Sequence, residues 1–119
     1  MPNKPEHIAK AESNQKLADT LSRGAYLDWA VTLLFYSALH YVDAILAVSG
    51  VNPETHTERG DAMGNNDTLK RIRPEYRTLE TLSRNARYRE MKIDPDDLQK
   101  ARENFDPLCA HLRSRMGLK

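Results

Sequence analysis

The segment WAVTLLFYSALHYVDAILAV, residues 29–48, decides the fold of this chain. It is the most apolar stretch of the sequence, and we predict a helix from about Tyr26 to Ser49 around it. Its polar side chains fall within a sector of roughly 140° when successive residues are placed about 100° apart; they are Thr32, Ser37, His40 and Asp43. This pattern predicts a central helix with one polar seam. The seam faces either the other helices through a satisfied hydrogen-bond network or a second copy of the chain across a two-fold axis.

The residues before and after this segment predict a covering helix and a loop. Weakly amphipathic residues indicate a helix over about 5–23, which we expect to end at Gly24 in the left-handed conformation. Residues 49–68 are rich in Gly, Asn, Asp and Thr, so we predict mostly loop, with one short helical turn around 57–63.

Two more helices are predicted in the second half of the chain. One begins near Pro74 and runs to about Arg89, because proline is favoured in a first helical turn. The other has Asp94 as N-cap, Pro95 at its first position and an end near Met116. A kink is expected at the proline within this last helix, Pro107. No run alternates apolar and polar residues long enough to indicate a strand, so the expected fold is all-α, an up-and-down bundle of four to five helices.

Length and composition narrow the class of protein. The 119 residues suit one domain, residues 1–119, and the formal net charge of +1 argues against a strongly basic coat for nucleic acid. Cys109 is the single cysteine, so no intramolecular disulfide can form and a reducing, cytoplasmic setting is expected. The first residues are polar and lack the apolar core of an export signal. We also expect no membrane span, because Asp43 and His40 interrupt the one sufficiently apolar segment.

Basic residues are concentrated in one part of the chain. Between Thr68 and Lys92 there are eight basic residues against three acidic ones. On the helix that starts near Pro74, one face within about 40° of its midline carries an arginine stripe: Arg73, Arg77, Arg84 and Arg87, with Glu80 among them. Guanidinium groups are suited to phosphate, so the stripe predicts contact with nucleic acid or a nucleotide. The competing interpretation is a solvated face, or salt bridges to the last helix.

Histidines offer two weaker candidates for chemistry. His40 lies one helical turn from Asp43, which could orient the imidazole for proton transfer, although a lone histidine in a core helix is more often structural. In the predicted loop, His56, Glu58 and Asp61 could reach a metal ion, but three ligands on one segment do not define a site. The sequence contains no glycine-rich phosphate loop and no common nucleophile motif, so no cofactor and no metal is expected.

Several segments together resemble a known family. The helix FYSALHYVDAILAVSGV, the loop NPETHTERGDAM, the segment RNARY and the closing DPDDLQKARENFDPLCAHL resemble small prokaryotic HEPN domains in their order and pattern, from about Leu21 to Leu112. The resemblance implies an up-and-down helical bundle that forms a two-fold dimer. It also implies a role in toxin–antitoxin or defence systems, or a partnership with an antitoxin or a nucleotidyltransferase.

In the nuclease branch of that family, an arginine, an adjacent polar residue and a histidine four to six residues further on cut RNA without metal. Arg84 and Asn85 match the first two elements of this motif, whereas the histidine positions are occupied by Arg89, Glu90 and Met91. Arginine stays protonated and cannot accept the proton of a ribose 2′-hydroxyl, so the general base is missing.

The sequence therefore predicts a HEPN-like homodimer that binds RNA or a nucleotide by its phosphates and has little or no catalytic activity. The residues expected to bind phosphate are Arg73, Arg77, Arg84, Asn85 and Arg87. Two alternatives stay open. One is an interaction module for an antitoxin or nucleotidyltransferase partner, and the other is a metal-independent endoribonuclease whose base is most plausibly His40, oriented by Asp43, with His56 as a substitute.

Overall fold

The computed structural model of the chain describes residues 3–88 and 92–118. Six helices and no strand occur within these residues, so the all-α prediction is confirmed. Four helices are long and two are short. In chain order they are α1 (Lys4–Leu21), α2 (Leu27–Val48), α3 (His56–Gly64), α4 (Asp67–Lys70), α5 (Arg73–Tyr88) and α6 (Pro95–Arg115).

The long helices alternate in direction. Helix α1 is antiparallel to α2, because His7 contacts His40 and, further along α1, Ala11 contacts Ser37. Arg113 pairs with Glu12 and Arg102 with Asp19, so α6 is antiparallel to α1 as well. His111 contacts Thr68 near the start of α5, whereas Lys100 shares a pocket with the middle of α5, so α5 is antiparallel to α6. An up-and-down bundle results, with α3 and α4 in the connection between α2 and α5.

Helix α2 is the centre of the core. Its fully buried side chains include Leu34, Phe35 and Tyr41, and helices α1, α5 and α6 all pack against it. Alanines on α1 bring the two backbones close, because Ala11 and Ala18 are both fully buried. Because the two backbones are this close, the Ser37 hydroxyl donates a 2.7 Å hydrogen bond to the carbonyl oxygen of Ala11. Helix α2 is also long and apolar enough to cross a membrane. However, 72% of its most apolar stretch is buried inside the protein, as expected for the core helix of a bundle.

Helix ends follow local sequence signals, with one exception. The Asp94 side chain accepts from the backbone N–H of Asp97, the Asp97 side chain accepts in return, and Pro95 is the first residue of α6, as predicted. The expected left-handed terminator at Gly24 is wrong, because the glycines with positive φ are Gly50 and Gly117. Each of these follows the end of its own helix closely, where a left-handed residue costs glycine little.

Three further predictions concern the connecting segment and the last two long helices. Residues 49–68 were expected to be mostly loop, yet α3 fills much of this segment, and the Thr55 side chain caps its first turn. Helix α5 is described as far as Tyr88, so the predicted end at Arg89 lies outside the described residues. Pro107 lies inside α6, and the kink expected there stays a prediction.

Candidate functional site

Helix α5 carries its arginines along one edge, beside the face that packs on the core. Its buried residues are Tyr76, Leu79, Leu82 and Ser83. The neighbouring edge forms what we call the arginine face, made of Arg73, Arg77, Arg84 and Arg87. Because successive arginines are four, seven and three positions apart, close to one or two helical turns, they follow one edge of the helix, as the sequence predicts.

The arginine face meets α3 in an open cleft of about 420 Å³. Arg73 and Arg77 line the α5 side of this cleft, and His56, Gly60 and Asp61 line the α3 side. Gly64 at the end of α3 makes room for Arg73, since a Cβ added at Gly64 would lie 3.3 Å from Nη1 of Arg73. The cleft therefore has two walls, one formed by α5 and the other by the short helix α3.

Charges in the cleft are only partly neutralised. Glu80 Oε2 lies 3.7 Å from His56 Nδ1, and Glu80 Oε1 lies 3.9 Å from Arg84 Nη2. Both distances are long, and the side chain of Arg84 is 56% exposed, so the attraction is weak. Within residues 3–88 and 92–118, no carboxylate pairs with Arg73 or Arg77. The charge of these two guanidinium groups is therefore not neutralised by a carboxylate of the described residues, and that of Arg84 is neutralised only weakly.

A second, smaller pocket of about 320 Å³ lies between α5 and α6. It is lined by Arg77, Asn85 and Lys100, together with Thr78, Thr81 and Leu82. Arg77 thus belongs to both pockets, and Lys100 adds a cation that no sequence motif indicates. Across the two pockets and the arginine face, five cations outnumber the two carboxylates, Asp61 and Glu80.

Arg87 differs from the other arginines because aromatic rings surround it. Its guanidinium carbon lies 4.8 Å from the ring centre of Tyr88 and 5.2 Å from that of Tyr36. The same group donates hydrogen bonds to the Tyr36 hydroxyl and to the carbonyl oxygen of Ser83. These contacts fix its position, so Arg87 is less free than Arg73 or Arg77 to move toward a ligand.

His40 and Asp43 lie away from the arginine face and do not form the expected pair. The Nδ1 atom of His40 is 3.1 Å from Nδ1 of His7, so one imidazole donates to the other. Burial and, to a smaller extent, the neighbouring His7 lower the pKa of the His40 imidazole to about 4. Both oxygens of Asp43 accept from Arg59, at 2.8 and 3.0 Å.

The polar seam of α2 is therefore satisfied within one chain. Ser37 contacts α1, His40 contacts α1, Asp43 contacts α3, and Thr32 donates to the carbonyl oxygen of Asp28. The sequence left two possibilities for this seam, a hydrogen-bond network with the other helices or a contact with a second copy of the chain. The structure shows the network with the other helices. Arg59 was missed by the sequence reasoning, although an aspartate on an otherwise apolar helix signals that a cation must reach it.

The metal hypothesis for α3 finds no support in the described part of the chain. No group of three or more His, Cys, Asp and Glu residues is arranged to hold an ion there. Glu58 instead accepts from the backbone N–H of Glu54, and its own N–H donates to the Thr55 side chain. Of the three proposed ligands, His56 and Asp61 line the cleft.

The fold and the site together define a class: a small helical bundle that presents a basic edge of one long helix beside a cleft. The HEPN domain family model matches residues 5–111, so the chain belongs to the HEPN domain family. No curated protein and no solved structure matches the chain. Family membership extends over the central helix, the cleft and the arginine face alike.

Proposed function

We propose that this HEPN domain binds RNA or a nucleotide by its phosphates, through the arginine face and the cleft beside it. One observation carries the proposal: Arg73 and Arg77 line the same cleft, and neither has a carboxylate partner among the described residues. A planar guanidinium offers paired N–H donors that match two phosphate oxygens. Arg84, Asn85 and Lys100 extend this surface along the helix in the direction that a phosphate backbone would follow.

Binding of this kind depends on salt, because each phosphate contact releases counterions. We expect Arg77→Ala to weaken RNA binding and to lower the slope of log K against log salt by about 0.7 for each lost contact to a single strand. The matched control is Lys16→Ala, which removes one positive charge from the groove between α1 and α6. RNA binding that ignores both salt and Arg77→Ala would contradict the proposal, whereas no affinity for RNA at all would favour a surface for an acidic protein partner.

A second candidate function is a metal-independent endoribonuclease with His56 as general base. The observation that favours it is the position of His56, in the same cleft as Arg73 and Arg77 and 3.7 Å from Glu80. At 3.7 Å the Glu80 carboxylate makes no hydrogen bond to the imidazole and would have to move closer to orient it, whereas the arginines already line the cleft where a phosphate would be held. His40 fits this role less well, since its pKa of about 4 makes it a weak proton acceptor and it contacts His7 in a different pocket.

The ribonuclease candidate has a direct test. It requires cleavage of RNA that persists in chelator, falls by about 10² to 10⁴ in His56→Ala and is retained in His40→Gln. If the purified protein cuts no RNA at any pH between 5 and 8, this candidate is removed while phosphate binding stands. The positions where the family's nucleases carry histidine, Arg89, Glu90 and Met91, lie outside the described residues.

We further propose that the protein is a cytoplasmic homodimer and works with a partner protein in a toxin–antitoxin or defence system. The support is the family membership alone. Sedimentation of the purified chain tests the dimer, and purification from its native source tests the partner.

A further inference from the structure

A small pocket with an aromatic wall lies between α2 and α5, next to the arginine face. Its volume is about 200 Å³, and it is lined by Asp28, Trp29, Thr32, Ala86 and Arg87. The Trp29 side chain is 57% exposed, although tryptophan is usually well buried in folded proteins. The Tyr88 ring, 75% exposed, contacts Arg87 at the edge of the same region. Flat, exposed rings of this kind provide stacking surfaces.

Arg87 connects this pocket to the arginine face. It is a member of the face and also lines the pocket, and its contacts with Tyr36 and Ser83 hold its guanidinium in place. Arg84 lies one helical turn before Arg87, so a phosphate held at Arg84 lies on the same edge of α5 as this pocket. Trp29, which lines the pocket with Arg87, is an exposed aromatic side chain beside that edge.

Asp28 determines what the pocket can accept. Its carboxylate has no cationic partner among the described residues, and it lines the pocket in the first turn of α2. A carboxylate repels phosphate and accepts hydrogen bonds from N–H groups. The pocket thus suits a flat ring that carries N–H donors. A second copy of the chain fits less well, because the cores of protein interfaces are depleted in charged residues, whereas Asp28 and Arg87 both line this pocket.

We propose that this pocket binds an unstacked guanine base, with Trp29 as stacking surface and Asp28 as acceptor for the two adjacent N–H donors of the guanine edge. The proposal rests on the proposed function, because it supplies the base-binding half of an RNA or nucleotide site. Uracil offers a single N–H between two carbonyl oxygens, and those oxygens would face the carboxylate. Stacking alone is tolerant of sequence, so the preference for guanine comes from Asp28.

Trp29 is the only tryptophan of the chain, so its fluorescence reports on this pocket alone. We expect guanosine monophosphate to quench the emission in a saturable way, and ribose 5-phosphate, which has no base, to leave it unchanged. Uridine monophosphate should bind at least about 5-fold more weakly. Asp28→Asn should remove this preference while the quenching by uridine monophosphate is retained. Equal behaviour of all three ligands would overturn the proposal, and so would emission that changes only on dilution of the protein, which would indicate a second copy.

Binding of a guanine-containing RNA separates this inference from the proposed function. Trp29→Ala should weaken that binding by roughly 5- to 150-fold and leave its salt dependence unchanged. Val48→Ala, which truncates an exposed residue at the other end of α2, should have no effect. If Arg77→Ala weakens binding but Trp29→Ala does not, the base pocket is wrong and phosphate binding stands. If guanosine, which lacks phosphate, quenches Trp29 while Arg77→Ala has no effect on RNA, phosphate binding is wrong and the base pocket stands.

Discussion

Arg59 on α3 donates two hydrogen bonds to the carboxylate of Asp43 on α2, at 2.8 and 3.0 Å, and both side chains are less than a tenth exposed. This buried, bidentate pair fastens α3 to the central helix. Since α3 provides the second wall of the cleft beside the arginine face, the pair also positions His56 and Gly60 opposite Arg73 and Arg77. A contact in the core therefore supports the candidate site at the surface.

Removing one partner of this pair should be costly. We expect Arg59→Met to lower the free energy of unfolding by about 3 to 5 kcal/mol, because it leaves the Asp43 carboxylate buried without a counter-charge. The double variant Arg59→Met with Asp43→Leu should recover much of that loss, since no unpaired charge is left. Urea denaturation measures both changes. Equal stability of the single variant and the wild type would mean that the pair does not fasten α3.

His40 predicts a dependence of stability on pH. Its pKa is about 4 in the folded protein, lowered by burial and then by His7, against an ordinary value of 6.5. The unfolded chain therefore binds more protons between these values, so stability falls as pH decreases from about 6.5 and levels off below about 4. The loss is on the order of 1 to 3 kcal/mol after allowance for partial exposure.

The measurement for His40 is the melting temperature from pH 7 to pH 4, for the wild type and for His40→Gln. Carboxylates also titrate in this range, so the informative quantity is the difference between the two proteins. Asp43, Lys10 and Arg59 influence His40 in addition to His7, and none of them is altered by the substitution. Parallel pH curves would show that the imidazole is not held unprotonated by the fold.

Gly64 offers a test of Arg73 that leaves the arginine itself intact. In Gly64→Ala the new Cβ would lie 3.3 Å from Nη1 of Arg73, so the guanidinium must move within the cleft. We expect RNA binding to weaken severalfold without loss of fold. The control for an added methyl group is Gly60→Ala on the same helix, which also lines the cleft but where an added Cβ meets nothing within 4 Å and so displaces no arginine. That control should keep the binding and gain about 0.5 to 1 kcal/mol of stability from helix propensity. If both variants bind RNA as the wild type does, Arg73 takes no part in binding.

The capping box at the start of α6 should contribute measurably to stability. Asp94→Ala removes the acceptor for the backbone N–H of Asp97, so we expect a loss of about 0.5 to 2 kcal/mol in thermal or urea denaturation. Asp96→Ala is the control, because Asp96 lies in the same first turn and interacts mainly with the helix dipole. A larger effect for Asp96→Ala than for Asp94→Ala would contradict this role for the cap.

Much of the fold could be predicted because its signals are local. The apolar period of α2 and the Asp94–Pro95 start of α6 each depend on neighbours within a few residues, and both are confirmed. The left-handed conformation predicted for Gly24 was wrong, because a glycine after a helix can adopt that conformation but does not have to. The extent of α3 was underestimated because its composition is that of a loop, and it is stabilised by Arg59 from outside its own sequence.

The candidate site was predictable only in part. Spacing alone placed four arginines on one edge of α5, and that much follows from 3.6 residues per turn. Which of these arginines can contact a ligand depends on residues far away in the sequence. Arg87 is held by a hydrogen bond to Tyr36, whereas Arg73 lines the open cleft beside α3.

By itself, the sequence determined that this protein is helical, that one apolar helix forms its centre and that arginines line one helical edge, because each of these features follows from periodicity within a single element. The tertiary structure alone decided that His40 meets His7, that Asp43 meets Arg59 and that Trp29 shares a pocket with Arg87. Such contacts join residues about 16 to 60 positions apart, and they form only when packing of the helices brings those residues together.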